Sequence, residues 1–311
     1  MSLNLNDVPL VEPPRLAPAL ELPWYYSIEY APGEVTPGQR FASIAPVRRL
    51  LERIDVDARW CLDLGTMEGL VPILLQRRGA KMVAWDRTCN LPASAPKQTF
   101  LSDRLGVPIF CEFTPHLASF QSSGHGPFDV VVLSGVLYHT IDPFGTLLRA
   151  RSFLRHGGLM IVETAAIRDT RPAMDFNAGG AGGYPNAADA NYWFPTTAGL
   201  EAMLACARLD PLAVAWAPSE WNLIRLAVAC RATHGVPQAG DWYRGQEEIA
   251  GNVAANYAEY LSWERLQSDA PLVPFEGDAR GSDLSAMVKL SGAVSPDEVE
   301  RLTVLRLEDR V

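Results

Sequence analysis

Residues 60–87, WCLDLGTMEGLVPILLQRRGAKMVAWDR, constrain the fold of this chain more than any other stretch. Trp60-Cys61-Leu62-Asp63-Leu64 is a short apolar run that stops at Gly65, as expected of a strand buried on both faces. Leu70, Ile73 and Leu74 then repeat at helical spacing, and Gly79 is a natural helix stop. Residues 81–85 read as a second strand, closed by Asp86. The unit is β-turn-α-β, with an acid 21 residues beyond the first glycine. In such a unit the glycine lets backbone approach a ligand and the helix N-terminus faces it. The acid can accept hydrogen bonds from both ribose hydroxyls.

Two cofactor classes use this arrangement. A dinucleotide needs backbone N–H groups around a pyrophosphate, hence three glycines. Here the second glycine place holds Met67, and Glu68 in the same turn would repel a pyrophosphate. S-adenosylmethionine (SAM) carries no phosphate, and its ammonium suits an acid such as Asp63. The departure favours SAM over NAD. An α/β turn that binds nothing is the plainer reading of a lone glycine.

The rest of the chain supplies more strands of the same kind. Residues 41–54 show helical spacing, and 97–105 read as a helix after a loop over 88–96. Residues 107–113 read as a third strand ending near Glu112. FDVVVL, residues 128–133, is nearly all apolar and so central. It delivers Ser134-Gly135-Val136-Leu137-Tyr138-His139, after which Asp142-Pro143 caps and starts a helix. Residues 159–164 form a fifth strand ending in Glu163-Thr164. A long polar insertion over 166–190 precedes Tyr192-Trp193-Phe194 and a helix over 198–207. Residues 211–216 and 223–230 read as an antiparallel hairpin at the sheet edge. Five strand ends thus present small or polar groups: Gly65, Asp86, Glu112, Ser134 and Glu163. Ligands of open α/β sheets lie at that edge.

Flanking segments differ in character. Residues 22–38 pack Trp24, Tyr25, Tyr26 and Tyr30 between prolines and glycines, as anchors on the core or as a lid. After residue 235 the pattern changes. Residues 247–266 read as one helix, and a short acidic helix follows Pro296. This tail would suit a subdomain, a lid or the arm of a homodimer. The expected division is an arm over 1–40, a catalytic body over 41–234 and a helical extension over 235–311.

Composition removes several classes. No run of 18 apolar residues occurs, so no membrane span is expected. The five cysteines are scattered without ligand spacing and read as reduced thiols of a cytoplasmic protein, with no metal site. Net charge is −9, and residues 241–311 hold 14 acids against 7 bases. The remainder is near neutral, unlike the basic face that nucleic acid requires.

In combination, LDLGTMEGL, VAWD and FDVVVLSGVLYHTIDPFGTLLRARSFLRHGGLMIVET resemble class I SAM-dependent methyltransferases over residues 55–230. LYH, ET, NYWFPTT and the arm over 24–38 are similar to a subgroup whose best-known member modifies the wobble uridine of tRNA. The resemblance implies an α/β, Rossmann-like sheet with helices on both faces. It places Asp63, Gly65, Thr66 and Met67 along the methionine part of SAM. Asp86 would hold the ribose, Arg87 would flank the adenine, and Ser134, Gly135 and Val136 would run beside the sulfonium. Tyr138 and His139 would sit near the transferred methyl. His139 is the candidate base, with an ordinary pKa near 6.5; a merely structural histidine is the alternative. Glu163, Tyr192, Trp193 and Tyr26 are the acceptor-pocket candidates. Thr140 and Ile141 stand where the tRNA enzymes carry basic residues, which favours ordinary SAM over its carboxylated form. The expected activity is methyl transfer to N or O of a small-molecule acceptor, in specialised, antibiotic-type metabolism. A tRNA-modifying enzyme and a non-catalytic scaffold are the alternatives.

Overall fold

A computed structural model describes residues 19–38, 43–121, 124–177, 191–219, 223–233 and 291–309. The apolar runs become the central strands: β3 (Trp60–Leu64), β4 (Lys81–Arg87), β5 (Cys111–Thr114), β6 (Phe128–Ser134) and β7 (Leu154–Ile167). All five are parallel, in the order β7-β6-β3-β4-β5. The chain leaves β3 toward β4 and β5 and later returns to lay β6 on its other side. The sheet therefore reverses direction between β3 and β6, where their carboxyl ends, Gly65 and Ser134, open a crevice.

Strand alternation explains the continuous apolar runs. Val130 and Val132 of β6 face one core with α1 (Ile44–Leu51) and α2 (Leu70–Gln76). Val131 and Leu133 face a second core with α4 (Pro143–Ser152) and α5 (Thr197–Cys206). Both faces are dry, as a parallel sheet demands. Asp142 caps α4 by accepting from the Gly145 N–H at 2.8 Å, and Thr196 caps α5 by accepting from Gly199 at 2.9 Å.

The hairpin of β10 (Leu209–Pro218) and β11 (Leu223–Ala232) is antiparallel and lies toward the expected edge of the sheet, with only a two-residue strand beyond it. Its inner strand, β11, runs between β7 and β10, antiparallel to both. A difference from expectation is α3, which runs Leu91–Leu105 rather than from residue 97. Pro92 stands in its first turn, where a missing N–H costs nothing; Pro96 lies inside the helix. The third strand begins later than expected, at Cys111, and Glu112 sits within it instead of at its end.

Two further pieces complete the sheet and the arm. β12 (Gly292–Ala293) extends the sheet beside β10, and α6 (Pro296–Leu302) follows with a capping box between Ser295 and Glu298. β13 (Val304–Leu305) pairs in parallel with β1 (Ser27–Ala31), which also pairs with β2 (Glu34–Val35). Arg48 of α1, buried, donates to the Leu302 and Val304 carbonyls at 2.8 Å and pairs with Asp309 at 2.9 Å. The helix expected over 247–266 and the glycine-rich part of the insertion lie outside the described residues. Around that insertion, β8 (Met174–Phe176) pairs with β9 (Trp193–Pro195). Among the described residues no helix is long and apolar enough to cross a membrane.

Candidate functional site

A cavity of about 720 Å³ opens at the carboxyl edge of the sheet. Gly65 and Met67 form one wall, and Asp86, Arg87 and Asn90 the adjoining one. Ser134, Gly135 and Val136 run along its middle, followed by Tyr138, His139, Thr140 and Ile141. Tyr25, Tyr26, Tyr192, Glu163 and Arg225 close the far end.

The turn after β3 keeps its shape despite lacking the second glycine. Met67 adopts φ 48°, the left-handed region that glycine would enter without cost. Its N–H donates to Asp86 Oδ2 at 2.9 Å, and its carbonyl accepts from Gln98 Nε2 at 2.6 Å. Gly65 is at φ 84°, and a Cβ there would lie 2.6 Å from Val136 Cγ2. The Gly65 backbone thus packs against the Val136 side chain more closely than a residue with a Cβ could.

Asp86 is more heavily engaged than a free ribose grip would be. Besides Met67, it accepts from Arg87 N at 2.7 Å and Asn90 Nδ2 at 2.6 Å, both through Oδ1. A carboxylate offers about four acceptor positions, so one remains, on Oδ2. Direct acceptance from one ribose hydroxyl is open; the expected pair of such bonds would need Asn90 to swing away.

Asp63 and Thr66 do not line the cavity. Both are buried, each 3% exposed. Burial, with the neighbouring Asp86 charge adding, pushes the Asp63 pKa up to about 7 from an ordinary 3.8. The native state therefore holds a proton that the unfolded chain releases. This contribution to stability is full below the unfolded value and is lost as pH rises through about 7. Unfolding free energy of the ligand-free protein is expected to fall by about 2–4 kcal/mol between about pH 4 and pH 8 on this account. Asp63→Asn should flatten that slope in urea titrations; an equal slope in the variant would assign it elsewhere.

Glu68 corrects the charge argument drawn from the sequence. Its carboxylate is turned away from the cavity and paired with Lys97 at 2.9 Å, out of water. It repels nothing in the groove and does not discriminate between phosphate and sulfonium.

The acceptor end is built on β7 and β11. Ala227 registers with Glu163, which makes Arg225 a diagonal neighbour of Glu163 on the same face. Arg225 Nε donates to Glu163 Oε1 at 2.7 Å and Nη2 to Oε2 at 3.0 Å, a bidentate pair with Glu163 fully buried. Burial works against the guanidinium charge, but Glu163 outweighs it and holds the Arg225 pKa well above its ordinary value. The Ser134 hydroxyl adds a hydrogen bond to Oε2 at 3.0 Å, and the guanidinium lies 4.8 Å from the Tyr138 ring centre. Glu163 is therefore a charge-neutralised part of the cavity wall.

His139 ends a short 3-10 turn, Leu137–His139, and its ring lies 4.0 Å from that of Tyr138, centre to centre. Tyr192 is held at the cavity by its N–H, which donates to the Tyr138 carbonyl at 2.7 Å. Trp193, expected beside it, does not line the cavity. Its indole N–H donates to the Ile141 carbonyl at 3.0 Å and its ring meets Phe176, outside the rim. Phe194, on the opposite face of β9, is core.

The arm is anchor and wall at once. Trp24 and Ile28 are buried in the first core, while Tyr25 and Tyr26 line the cavity. Burial, with the neighbouring Tyr138, pushes the Tyr25 pKa up to about 12; burial also raises Tyr26 well above its usual value. Both remain neutral hydroxyls. Arg225, Asn90, Arg149 and the loop over 115–119 were missed by the sequence reading. Arg225 left a signal, one charge inside the apolar run LIRLAVAC; the others left none.

Residues 38–212, more than half of the chain, match the family model described as "Methyltransferase domain". The chain belongs to that family. Among curated relatives, a tRNA U34 carboxymethyltransferase of Psychrobacter sp. is 37% identical over 70 residues, 21% of this chain and 20% of that protein. A ubiquinone biosynthesis O-methyltransferase of Cereibacter sphaeroides is 30% identical over 103 residues, 33% of this chain and 40% of that protein. The chain thus spans less than half the length of either. The crystal structure of the N-terminal domain of EvdMO1 in the presence of SAH and D-fucose aligns with a TM-score of 0.52 at 18% identity. It covers 69% of this chain and 94% of that one, and the likeness shows the Rossmann-like fold.

Proposed function

We propose that this enzyme methylates an O or N atom of a small metabolite, of the kind specialised metabolism supplies. The observation that carries the reading is the single cavity running from Asp86 to Tyr192 with His139 in its wall. At about 720 Å³ it lies within the range of roughly 300–1,000 Å³ typical of small-molecule sites. That leaves room for an acceptor of modest size beside a cofactor.

The cavity lined by Gly65 and Val136 suits SAM, which when bound supplies a methyl group already activated by its sulfonium. Asp86 would hold the ribose, Arg87 would flank the adenine, and Ser134–Val136 would run beside the sulfur. Asp63 and Thr66 would act indirectly rather than by contact. The remaining work is positioning, since displacement at an activated methyl needs its partners in line. Tyr26, Tyr138 and Tyr192 would orient the acceptor, with Arg225 and Glu163 fixing the Tyr138 ring. Because Tyr25 and Tyr26 hold their protons, His139 is the group suited to remove one from the acceptor.

Incubation with methyl-labelled SAM and a panel of phenols, amines and sugars should transfer label to a small-molecule fraction. His139→Gln is expected to lower turnover about a hundredfold while leaving adenosylhomocysteine affinity unchanged; unaltered turnover across pH would make His139 structural.

A second reading, tRNA modification, is favoured by the 37% identity over 70 residues to the tRNA U34 enzyme. The net charge of −9 and an exposed Ile141 at the cavity mouth weigh against it. Label appearing in added tRNA, with salt-sensitive binding, would reverse the preference. Binding of adenosylhomocysteine without any transfer would favour a scaffold.

A further inference from the structure

Outside the cavity, three segments meet at one buried charge pair. Glu68 follows Met67 in the turn after β3 and is 1% exposed. Its Oε1 accepts from Lys97 Nζ at 2.9 Å and from the Tyr25 backbone N–H at 2.8 Å. Lys97 of α3 is 4% exposed, donates also to the Pro23 carbonyl, and lies 5.5 Å from the Trp24 ring centre. Glu68 Oε2 is buried without a hydrogen-bond partner among the described residues.

An ion pair withdrawn from water is a poor way to gain stability, since desolvation offsets much of the attraction. Trp24 and Ile28 already fasten the arm by apolar burial. What the pair adds is geometry. It ties the backbone of Tyr25 to the residue next to Met67, and Met67 is itself held by Asp86 on one side and Gln98 on the other. Two consecutive residues, Met67 and Glu68, therefore link the carboxylate proposed to hold the ribose to the segment carrying two tyrosines of the acceptor wall. Separating the partners would leave a bare charge in a dry place, so turn and arm must move together.

We propose that Glu68 and Lys97 are positioning residues that couple the two halves of the site. Occupancy of the cofactor groove fixes the turn, and through Glu68 it fixes Tyr25 and Tyr26. The acceptor wall is then complete only when cofactor is bound, and by linkage acceptor binding tightens cofactor binding by the same factor. This rests on the cofactor reading above.

Hydrogen exchange of the full chain with and without adenosylhomocysteine tests it. In the wild type the ligand should slow exchange about tenfold both in the turn over 65–69 and in the arm over 24–26. The double variant Glu68→Met/Lys97→Met removes the acceptor for the Tyr25 N–H and leaves no lone buried charge. It should keep ligand binding and turn protection, while the ligand-dependent change in the arm disappears. If that variant fails to fold, Lys97→Arg, which keeps the charge, should retain the coupling, and Glu68→Met/Lys97→Gln, which is uncharged and also lacks the acceptor, should lose it. A pair that is only structural would loosen the arm equally with and without ligand, leaving the ligand-dependent difference intact, and that result overturns the proposal. So does a wild-type arm that ignores a ligand which protects the turn. Failure of the ligand to protect either region would instead remove the cofactor reading, and this proposal with it.

Discussion

Replacement of Asp86 by alanine is expected to raise the dissociation constant for adenosylhomocysteine about a hundredfold, near 2.7 kcal/mol. Two losses combine. One is the charge-assisted hydrogen bond to a ribose hydroxyl, worth roughly 1.5–3 kcal/mol. The other is the turn itself, because Met67, Arg87 and Asn90 all donate to this carboxylate. Met67 sits in a left-handed conformation that a bulky residue does not hold without help. The melting temperature without ligand should therefore fall as well. Asp86→Asn, which keeps one acceptor oxygen, should fall between. Calorimetric titration decides: affinity within twofold of wild type in Asp86→Ala would remove Asp86 from the ribose assignment.

The second large effect is expected at Arg225. Arg225→Met leaves Glu163, fully buried, with only the Ser134 hydroxyl bonded to its side chain among the described residues. Breaking a buried pair from one side costs roughly 3–5 kcal/mol, read as a shift in the urea midpoint. Glu163→Gln/Arg225→Met, which removes both charges, should regain most of the stability. Turnover should stay low, because the Tyr138 ring has lost the guanidinium beside it. Wild-type stability in Arg225→Met would show that the pair contributes nothing.

The parts of the fold that were legible in the sequence share a physical reason. β3, β4 and β6 are buried on both faces, so their runs are mostly apolar and end abruptly at Gly65, Asp86 and Ser134. α3 runs longer than its sequence suggests because Pro92 and Pro96 imitate a loop, although the first costs nothing in an opening turn. The hairpin of β10 and β11 is legible because its pairing is local. Within the site, residues at strand ends could be placed because alternation and the sheet edge fix them. Side-chain direction could not. Glu68 lies in the right turn but points to Lys97, and Trp193 lies beside Tyr192 but on the outer side of the rim. Arg225 is the instructive omission. A lone cation in an apolar strand requires a buried counter-charge, and Glu163 was already under suspicion.

The parallel pairing of β1 with β13 has a consequence for synthesis. Every described group that lines the cavity has been made by the time residue 225 is joined to the chain, yet Ser27 and Ile28 still lack Val304 and Leu305 beside them. Arg48 likewise waits for the Leu302 and Val304 carbonyls. A nascent polypeptide, or one cut short by a premature stop near codon 300, would carry those cavity residues under an unsupported roof.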